Sequence, residues 1–141
     1  MKTFLLEIIT PEKIAFANQV KMVTVPAADG QLGILAGHVP LFTNLAEGEV
    51  KVIGENEEFF LAIGSGYLEV AKNKTVILVT SAYNADEINE QEVIEAKKRA
   101  EEALTAGGED KNLLEAQATF RRATLALKVL HRKRSARPLN Q

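Results

Sequence analysis

Short apolar segments separated by turn residues fill the first part of the chain. Apolar and polar positions alternate in several of these segments, which is typical of strands with one buried face. The pattern predicts strands at 4–10, two within 14–25, and then at 32–35, 41–45, 49–53, 57–63, 67–71 and 75–80. Many short strands joined by tight turns indicate an antiparallel β-sandwich, or flattened barrel. We therefore predict such a domain over residues 1–86.

The hydrophobic period changes from two residues to three or four after residue 87. Asn89 and Glu92 form a capping-box pattern at the start of a first helix. The apolar face of that helix is mostly alanine: Val93, Ala96, Ala100 and Ala103. Alanine lets helices approach closely but buries little surface. Burial of the three alanine side chains therefore stabilises the packing of this helix by only about 2 kcal/mol. Gly107 and Gly108 predict its end.

A second helix follows, and its predicted N-cap is Asn112, with Glu115 three residues later. Its apolar positions form a seam of nearly three heptads: Leu113, Ala116, Phe120, Ala123, Leu127 and Leu130. Two helices joined by a short loop predict an antiparallel hairpin over 87–131. The tail 132–141, which contains Pro138, is expected to fray. Residues 87–141 therefore form the second predicted domain, a helical hairpin with a basic tail.

Composition excludes several classes of protein. The chain has no cysteine, which rules out disulfides and thiolate metal sites. Its two histidines, His38 and His131, lie far apart in sequence, so we expect no metal site. No apolar run reaches the length of a membrane span, and Glu7 interrupts the apolar start, so we expect neither an anchor nor a signal peptide.

Charge is divided into blocks along the chain. Residues 1–86 carry 6 basic and 10 acidic side chains (net −4), residues 87–110 carry 3 and 8 (net −5), and residues 111–141 carry 8 and 1 (net +7). Such blocks bear on partners rather than on fold. One hypothesis is that the weakly held hairpin leaves its resting place and binds an acidic surface. The simpler alternative is a solvated basic helix end, which the helix dipole favours.

The segment 28–48, ADGQLGILAGHVPLFTNLAEG, lacks helical periodicity and is rich in glycine. It predicts two short strands joined by a rigid, exposed corner. Residues 30–48 closely resemble the motif G-[EQ]-L-G-I-L-x-x-H-x-P-L-x-T-x-L-x-x-G of the epsilon subunits of bacterial and chloroplast F-type ATP synthases. Gln31 stands where glutamate is commoner in that family. The resemblance also implies the predicted layout of a sandwich followed by a helical hairpin.

The resemblance implies a non-catalytic central-stalk subunit that couples the catalytic head and gamma to the c-ring during proton-driven ATP synthesis. It implies that Asp29, Gln31 and His38 contact the polar loops of the c-ring, and that the sandwich binds gamma. Nothing in sequence near His38 forms a nucleophile pattern, so it is read as a loop histidine rather than a catalytic one. We predict no catalytic residue, metal or cofactor. The implied location is peripheral, on the cytoplasmic face of the plasma membrane or the stromal face of a thylakoid.

Some family members bind ATP through an [IL]-D-x-x-R-A motif at the start of the first helix. Here the aligned residues run from Ile88 to Val93, with Asn89 in place of the aspartate and Glu92 in place of the arginine. Glutamate repels phosphate where arginine would bind it. Arg99 and Arg122 match two downstream arginines, but the next is Ala126. We predict weak or absent ATP binding.

From residue 121 onward, the basic residues of the second helix and tail are Arg121, Arg122, Lys128, Arg132, Lys133, Arg134 and Arg137. The resemblance implies that this helix enters the catalytic head, contacts an acidic segment of beta (and alpha) and inhibits ATP hydrolysis. Two alternatives remain open: a stand-alone nucleotide-sensing module, and a nucleic-acid-binding protein. Poor aromatic interleaving, with Phe120 alone among the cations, argues against nucleic acid.

Overall fold

A computed structural model describes residues 2–107 and 110–136. Ten strands precede two helices. The strands are β1 (Phe4–Ile9), β2 (Ile14–Val20), β3 (Met22–Ala27), β4 (Gly30–Leu35), β5 (Leu41–Leu45), β6 (Gly48–Ile53), β7 (Glu58–Ile63), β8 (Gly66–Ala71), β9 (Lys74–Val79) and β10 (Ala82–Asn84). A 3-10 turn (Ala85–Glu87) leads to α1 (Glu90–Ala106) and α2 (Asp110–Ser135). The predicted fold class is confirmed.

The strands form one continuous sheet in the order β10-β7-β6-β3-β5-β8-β9-β1-β2, and β4 pairs with β3 beside this path. All described pairs are antiparallel except β1 with β9, which runs parallel from the Leu5–Lys74 pair to the Ile9–Leu78 pair. Folding of the sheet on itself encloses a core of strand side chains. Leu6, Ile34 and Ile77 within that core are fully buried. Since every buried member of this core lies on a strand, the sandwich has a core independent of the helices.

The hairpin packs on the outside of the sheet, against β7 and the 3-10 turn. Phe60 and Ala62 of β7, Ala85 and Val129 form a second buried cluster there. Val129 is fully buried although it lies off the predicted seam. Helix α2 therefore has two apolar faces, one toward α1 and one toward the sandwich.

The start of α1 matches the prediction, because the Asn89 side chain accepts a hydrogen bond from the Glu92 backbone N–H at 3.1 Å. Gly107 ends the helix with φ of 75°, a conformation open to glycine. The seam prediction is wrong at Ala103, which is exposed. Ala100 is the one residue of α1 that is buried.

The predicted start of α2 is wrong. The helix begins at Asp110, so Asn112 lies within its first turn and does not cap it. An Asn-x-x-Glu pattern indicates capping propensity, but here Asp110 and residue 111 already belong to the helix, so Asn112 is not at its boundary. The prediction that the tail 132–141 frays is wrong for residues 132–135, because α2 continues to Ser135. Ion pairs stabilise this last turn, and the remaining tail, residues 137–141, lies outside the described part of the chain.

Candidate interaction surfaces and the hairpin interface

The glycine-rich motif forms the β3–β4 hairpin and the corner that follows it. Asp29 is exposed in the turn between the two strands, and Gly30 has φ of 126°, which disfavours any side chain. Gln31 is exposed on β4, whereas Ile34 on the opposite face is fully buried. Among the described strands, β4 pairs only with β3, so its outer edge is open.

His38 lies at the other end of β4, in the corner before β5. Its backbone N–H bonds the Leu35 carbonyl at 3.1 Å, and its ring Nδ1 lies 2.7 Å from the Val39 carbonyl oxygen. A carbonyl oxygen can only accept, so Nδ1 carries the proton in this contact. The five steps along β4 span about 17 Å. The predicted contact residues Asp29, Gln31 and His38 therefore follow the length of β4 rather than forming one cluster.

The basic residues of α2 from Arg121 onward fall into two groups. Four of them form ion pairs with acidic residues outside α2: Arg121 with Glu47 at 2.7 Å, Arg132 with Glu49 at 3.3 Å, Lys133 with Asp86 at 3.0 Å, and Arg134 with Glu90 at 2.7 Å. Within residues 2–107 and 110–136, no ion pair involves Arg122 or Lys128. Arg137 lies outside the described residues.

The Arg132–Glu49 pair differs from the others in its burial. The Glu49 side chain is 12% exposed, and its Oε2 is buried without a hydrogen-bond partner in the described structure. The Arg132 guanidinium carbon also lies 5.8 Å from the centre of the Phe60 ring, beneath α2. Such a cation–aromatic contact adds to the ion pair. This end of α2 is therefore held by charge and by apolar packing together.

The Arg134–Glu90 pair joins the end of α2 to the start of α1. The hydrogen bond from Arg134 lowers the pKa of the Glu90 carboxyl below its ordinary value, and partial burial opposes this. The same contact raises the pKa of Arg134. Both shifts favour the charged pair.

A cavity of about 390 Å³ lies between the hairpin and the sandwich. Its lining includes Ile88, Asn89, Glu92 and Val93 of the altered nucleotide motif, together with Arg122. Arg99, the other predicted nucleotide contact, does not line it. The remaining lining is mainly apolar, and the carboxylates of Glu47, Glu87 and Glu92 outnumber the single lining cation. This charge balance is unfavourable for a chain of phosphates.

An apolar row crosses the outer face of the sheet, in the part formed by β5, β8, β9, β1 and β2. Register places Tyr67 beside Leu78, Leu78 beside Ile9, and Ile9 beside Ile14. Phe42 stacks on Tyr67 with ring centres 5.5 Å apart. Phe42 is 65% exposed and Ile14 60% exposed. We call these five residues the apolar row.

Three members of the apolar row, Ile9, Tyr67 and Leu78, line a shallow groove of about 420 Å³. The walls are the β1–β2 turn (Thr10, Pro11) and the β7–β8 turn (Ser65, Gly66). A Cβ at Gly66 would overlap the Leu78 carbonyl oxygen, so glycine is needed where these strands approach. Four of these side chains are about half exposed or more and Ile9 is partly buried, so together they offer on the order of 400 Å² of apolar surface. Patches of this size on a monomer are often functional.

The apolar row and the acidic partners of α2 were not predicted from the sequence. One signal was present: the strand at 75–79 is apolar on both faces, which indicates burial on both sides of a sheet. The carboxylates at Glu47, Glu49 and Asp86 gave no such signal, because only the docked hairpin brings them opposite α2.

The fold and these surfaces define a β-sandwich protein with a C-terminal helical hairpin and one open apolar face. A model of the ATP synthase delta/epsilon chain β-sandwich domain matches residues 3–85, and a model of the delta/epsilon chain long α-helix domain matches residues 86–130. The chain therefore belongs to the ATP synthase delta/epsilon chain family. The resemblance read from residues 30–48 is confirmed.

Several relatives are described as ATP synthase epsilon chains. One from Natranaerobius thermophilus is 44% identical over 124 residues, covering 86% of this chain and 88% of the relative. One from Halorhodospira halophila is 38% identical over 141 residues, covering 97% of this chain and 100% of the relative. A chain in the Euglena gracilis mitochondrial ATP synthase OSCP/F1/c-ring structure has the same fold, with a TM-score of 0.65 at 20% identity, covering 93% of this chain and 79% of that one. None of the described helices is both long and apolar enough to cross a bilayer.

Proposed function

We propose that this chain is the epsilon subunit of the central stalk of an F-type ATP synthase. It is not itself an enzyme: it couples the catalytic head and gamma to the membrane c-ring while the complex makes ATP. The sandwich, residues 1–86, is the anchor, and residues 87–141 form the regulatory hairpin. Its location is peripheral, on the cytoplasmic face of the membrane or its plastid equivalent. Family membership supports this proposal, as does the ATP synthase epsilon chain name of its relatives.

The observation that carries the proposal is the apolar row. It lies on sheet surface that the hairpin leaves open, since α2 packs against β7 and the 3-10 turn. A patch of about 400 Å² is half of what one partner buries in a standard interface, so it suits the centre of a subunit contact. We assign gamma to this surface. The open edge of β4, with Asp29, Gln31 and His38, faces the polar loops of the c-ring in this proposal.

The test uses a catalytic head that contains gamma but lacks its own epsilon. Tyr67→Glu or Leu78→Glu would bury an unpaired carboxylate in the proposed contact, and we expect each to weaken binding at least about 30-fold. The matched control is Leu114→Glu, which places the same charge on a leucine of α2 that is 66% exposed. Binding of the row variants as tight as that of the control would refute the assignment of gamma to this face.

Inhibition of ATP hydrolysis is the second part of the proposal, and it belongs to α2. The exposed cations Arg122 and Lys128 are available to an acidic segment of beta while the hairpin is docked. Arg121, Arg132, Lys133 and Arg134 become available only when their own carboxylates release them. We expect the full chain to slow hydrolysis by the head–gamma assembly. We also expect neutralisation of α2 to remove this effect while binding persists.

A further inference from the structure

We propose that an electrostatic latch holds the hairpin in its docked position and that this latch controls its release. The latch consists of three ion pairs across the interface: Arg121–Glu47, Arg132–Glu49 and Lys133–Asp86. Ionic strength, and any acidic segment that competes for these cations, would therefore set the fraction of docked hairpin. The proposal rests on the regulatory role of the hairpin stated above, but it concerns the isolated chain.

The first argument is the arrangement of the pairs. Glu47 and Glu49 lie at the start of β6, opposite the middle and end of α2, and Asp86 lies in the 3-10 turn that leads to the hairpin. The cations of the three pairs are spread over more than three turns of α2, from Arg121 to Lys133. All of the described ion pairs between α2 and the sandwich or the 3-10 turn have the same polarity, with α2 supplying the cation. Docking thus matches an acidic strip to a basic helix face.

The second argument is that the apolar part of the same interface is small. Its buried members are Phe60, Ala62, Ala85 and Val129, two of them alanines. Each of these alanines offers only a methyl group, so the ion pairs add appreciably to the apolar contacts of Phe60, Val129 and the partly buried Leu125. The α1–α2 contact does not change this balance, because both helices can move together as one hairpin.

The third argument is the asymmetry of the Arg132–Glu49 pair. Oε2 of Glu49 is buried in the docked structure, and the only cation paired with this carboxylate among the described residues is Arg132. Loss of that cation would leave a buried charge uncompensated in the docked state, whereas undocking would return Glu49 to water. Arg132 is therefore the most sensitive member of the latch. Arg121 and Glu47 are more exposed, so their pair contributes less.

The latch also defines when inhibition is possible. The cations that hold α2 on the sandwich belong to the same basic set that an acidic partner would bind. An arginine that is paired with a carboxylate of the sandwich cannot make the same bidentate contact with a carboxylate of the partner. Docking and partner binding therefore compete. The acidic strip at Glu47, Glu49 and Asp86 acts as an internal substitute for that partner.

The test is docking of the isolated full-length chain, measured by energy transfer between two dyes. The chain has no cysteine, so Asn56→Cys in the β6–β7 turn and Gln117→Cys on α2 label only the two chosen positions. The stabilisation free energies of exposed ion pairs change an equilibrium constant by about 1.4- to 5-fold per pair. The three pairs together should therefore change the docking equilibrium constant on the order of tenfold. We expect the docking equilibrium constant to fall by about this factor between low salt and molar sodium chloride.

Variants separate the latch from general effects of salt. Arg132→Gln should undock the hairpin at least about tenfold at low salt, and Arg121→Gln should do so less. The matched control is Lys128→Gln, which removes the same charge from an exposed position of α2. The exchange Glu47→Arg with Arg121→Glu should restore docking that either single change weakens.

Docking that is unchanged or strengthened by salt would overturn the latch, because an apolar interface responds to salt in that direction. So would equal effects of Arg132→Gln and Lys128→Gln. Neither result depends on the ATP synthase. A chain that fails to bind the head would refute the proposed function but not the latch. A chain that binds the head but docks its hairpin independently of salt would refute the latch but not the proposed function.

Discussion

Val129→Ala tests whether the hairpin and the sandwich unfold separately. Val129 is fully buried between α2 and β7, where it packs with Phe60, Ala62 and Ala85. The change removes two carbon groups at about 0.8 kcal/mol each, and the remaining void brings the total to about 2 kcal/mol. We expect a loss of docking of roughly 30-fold, since 1.4 kcal/mol corresponds to tenfold.

The assay for Val129→Ala is amide hydrogen exchange, compared between α2 and the fully buried strand residues of the sandwich. The variant should accelerate exchange in α2 about 30-fold and leave exchange around Leu6 and Ile77 unchanged. Leu114→Ala, on the exposed side of the same helix, is the control and should change neither. Equal acceleration in α2 and in the strands would refute the reasoning, because it would make the two parts one cooperative unit.

Three further predictions concern the Glu90–Arg134 ion pair, the close strand contact at Gly66, and ATP binding. The pKa of Glu90 in an NMR titration should lie below its ordinary value and should rise in Arg134→Gln. The stabilisation by this pair is fully present above the ordinary glutamate pKa and is lost as the pH falls through the lowered pKa. Gly66→Ala should lower the melting midpoint by at least about 5 °C, because the added Cβ overlaps a β9 carbonyl, and a midpoint within a degree of the parent would contradict this. Millimolar ATP should leave the melting curve unmoved, whereas the double variant Asn89→Asp, Glu92→Arg should gain a measurable rise.

The sequence alone predicted most of the strands and the start of α1. Alternation identified several strands because one of their faces is buried, as in β1 and β6, and Asn89 caps α1 as its side chain predicted. Prediction from sequence failed where the local pattern of residues does not determine the structure. Asn112 has the right spacing for a cap, but the helix begins before it. The short strand β10 and the 3-10 turn were missed, since three residues carry no measurable period.

The candidate surfaces were less predictable than the fold. Asp29, Gln31 and His38 came from family resemblance, and the structure adds only that they follow the length of β4. The partners of Arg121 and Arg132 lie more than 70 residues away in sequence, so no local pattern could identify them. Tyr67 and Leu78 read as ordinary strand residues until register placed them side by side.

The parallel pairing of β1 with β9 has a consequence for how the protein is made. Strand β1 is the first to be synthesised, yet its second neighbour begins at Lys74. At about 5–20 residues per second, the ribosome needs roughly 3–13 s to make the intervening chain. During that time one edge of β1 has no native partner, and its pairing requires closure of a long loop, which slows folding. The nascent chain therefore carries an unpaired strand edge until β9 has been made, and that interval is when it is most exposed to aggregation or most dependent on a chaperone.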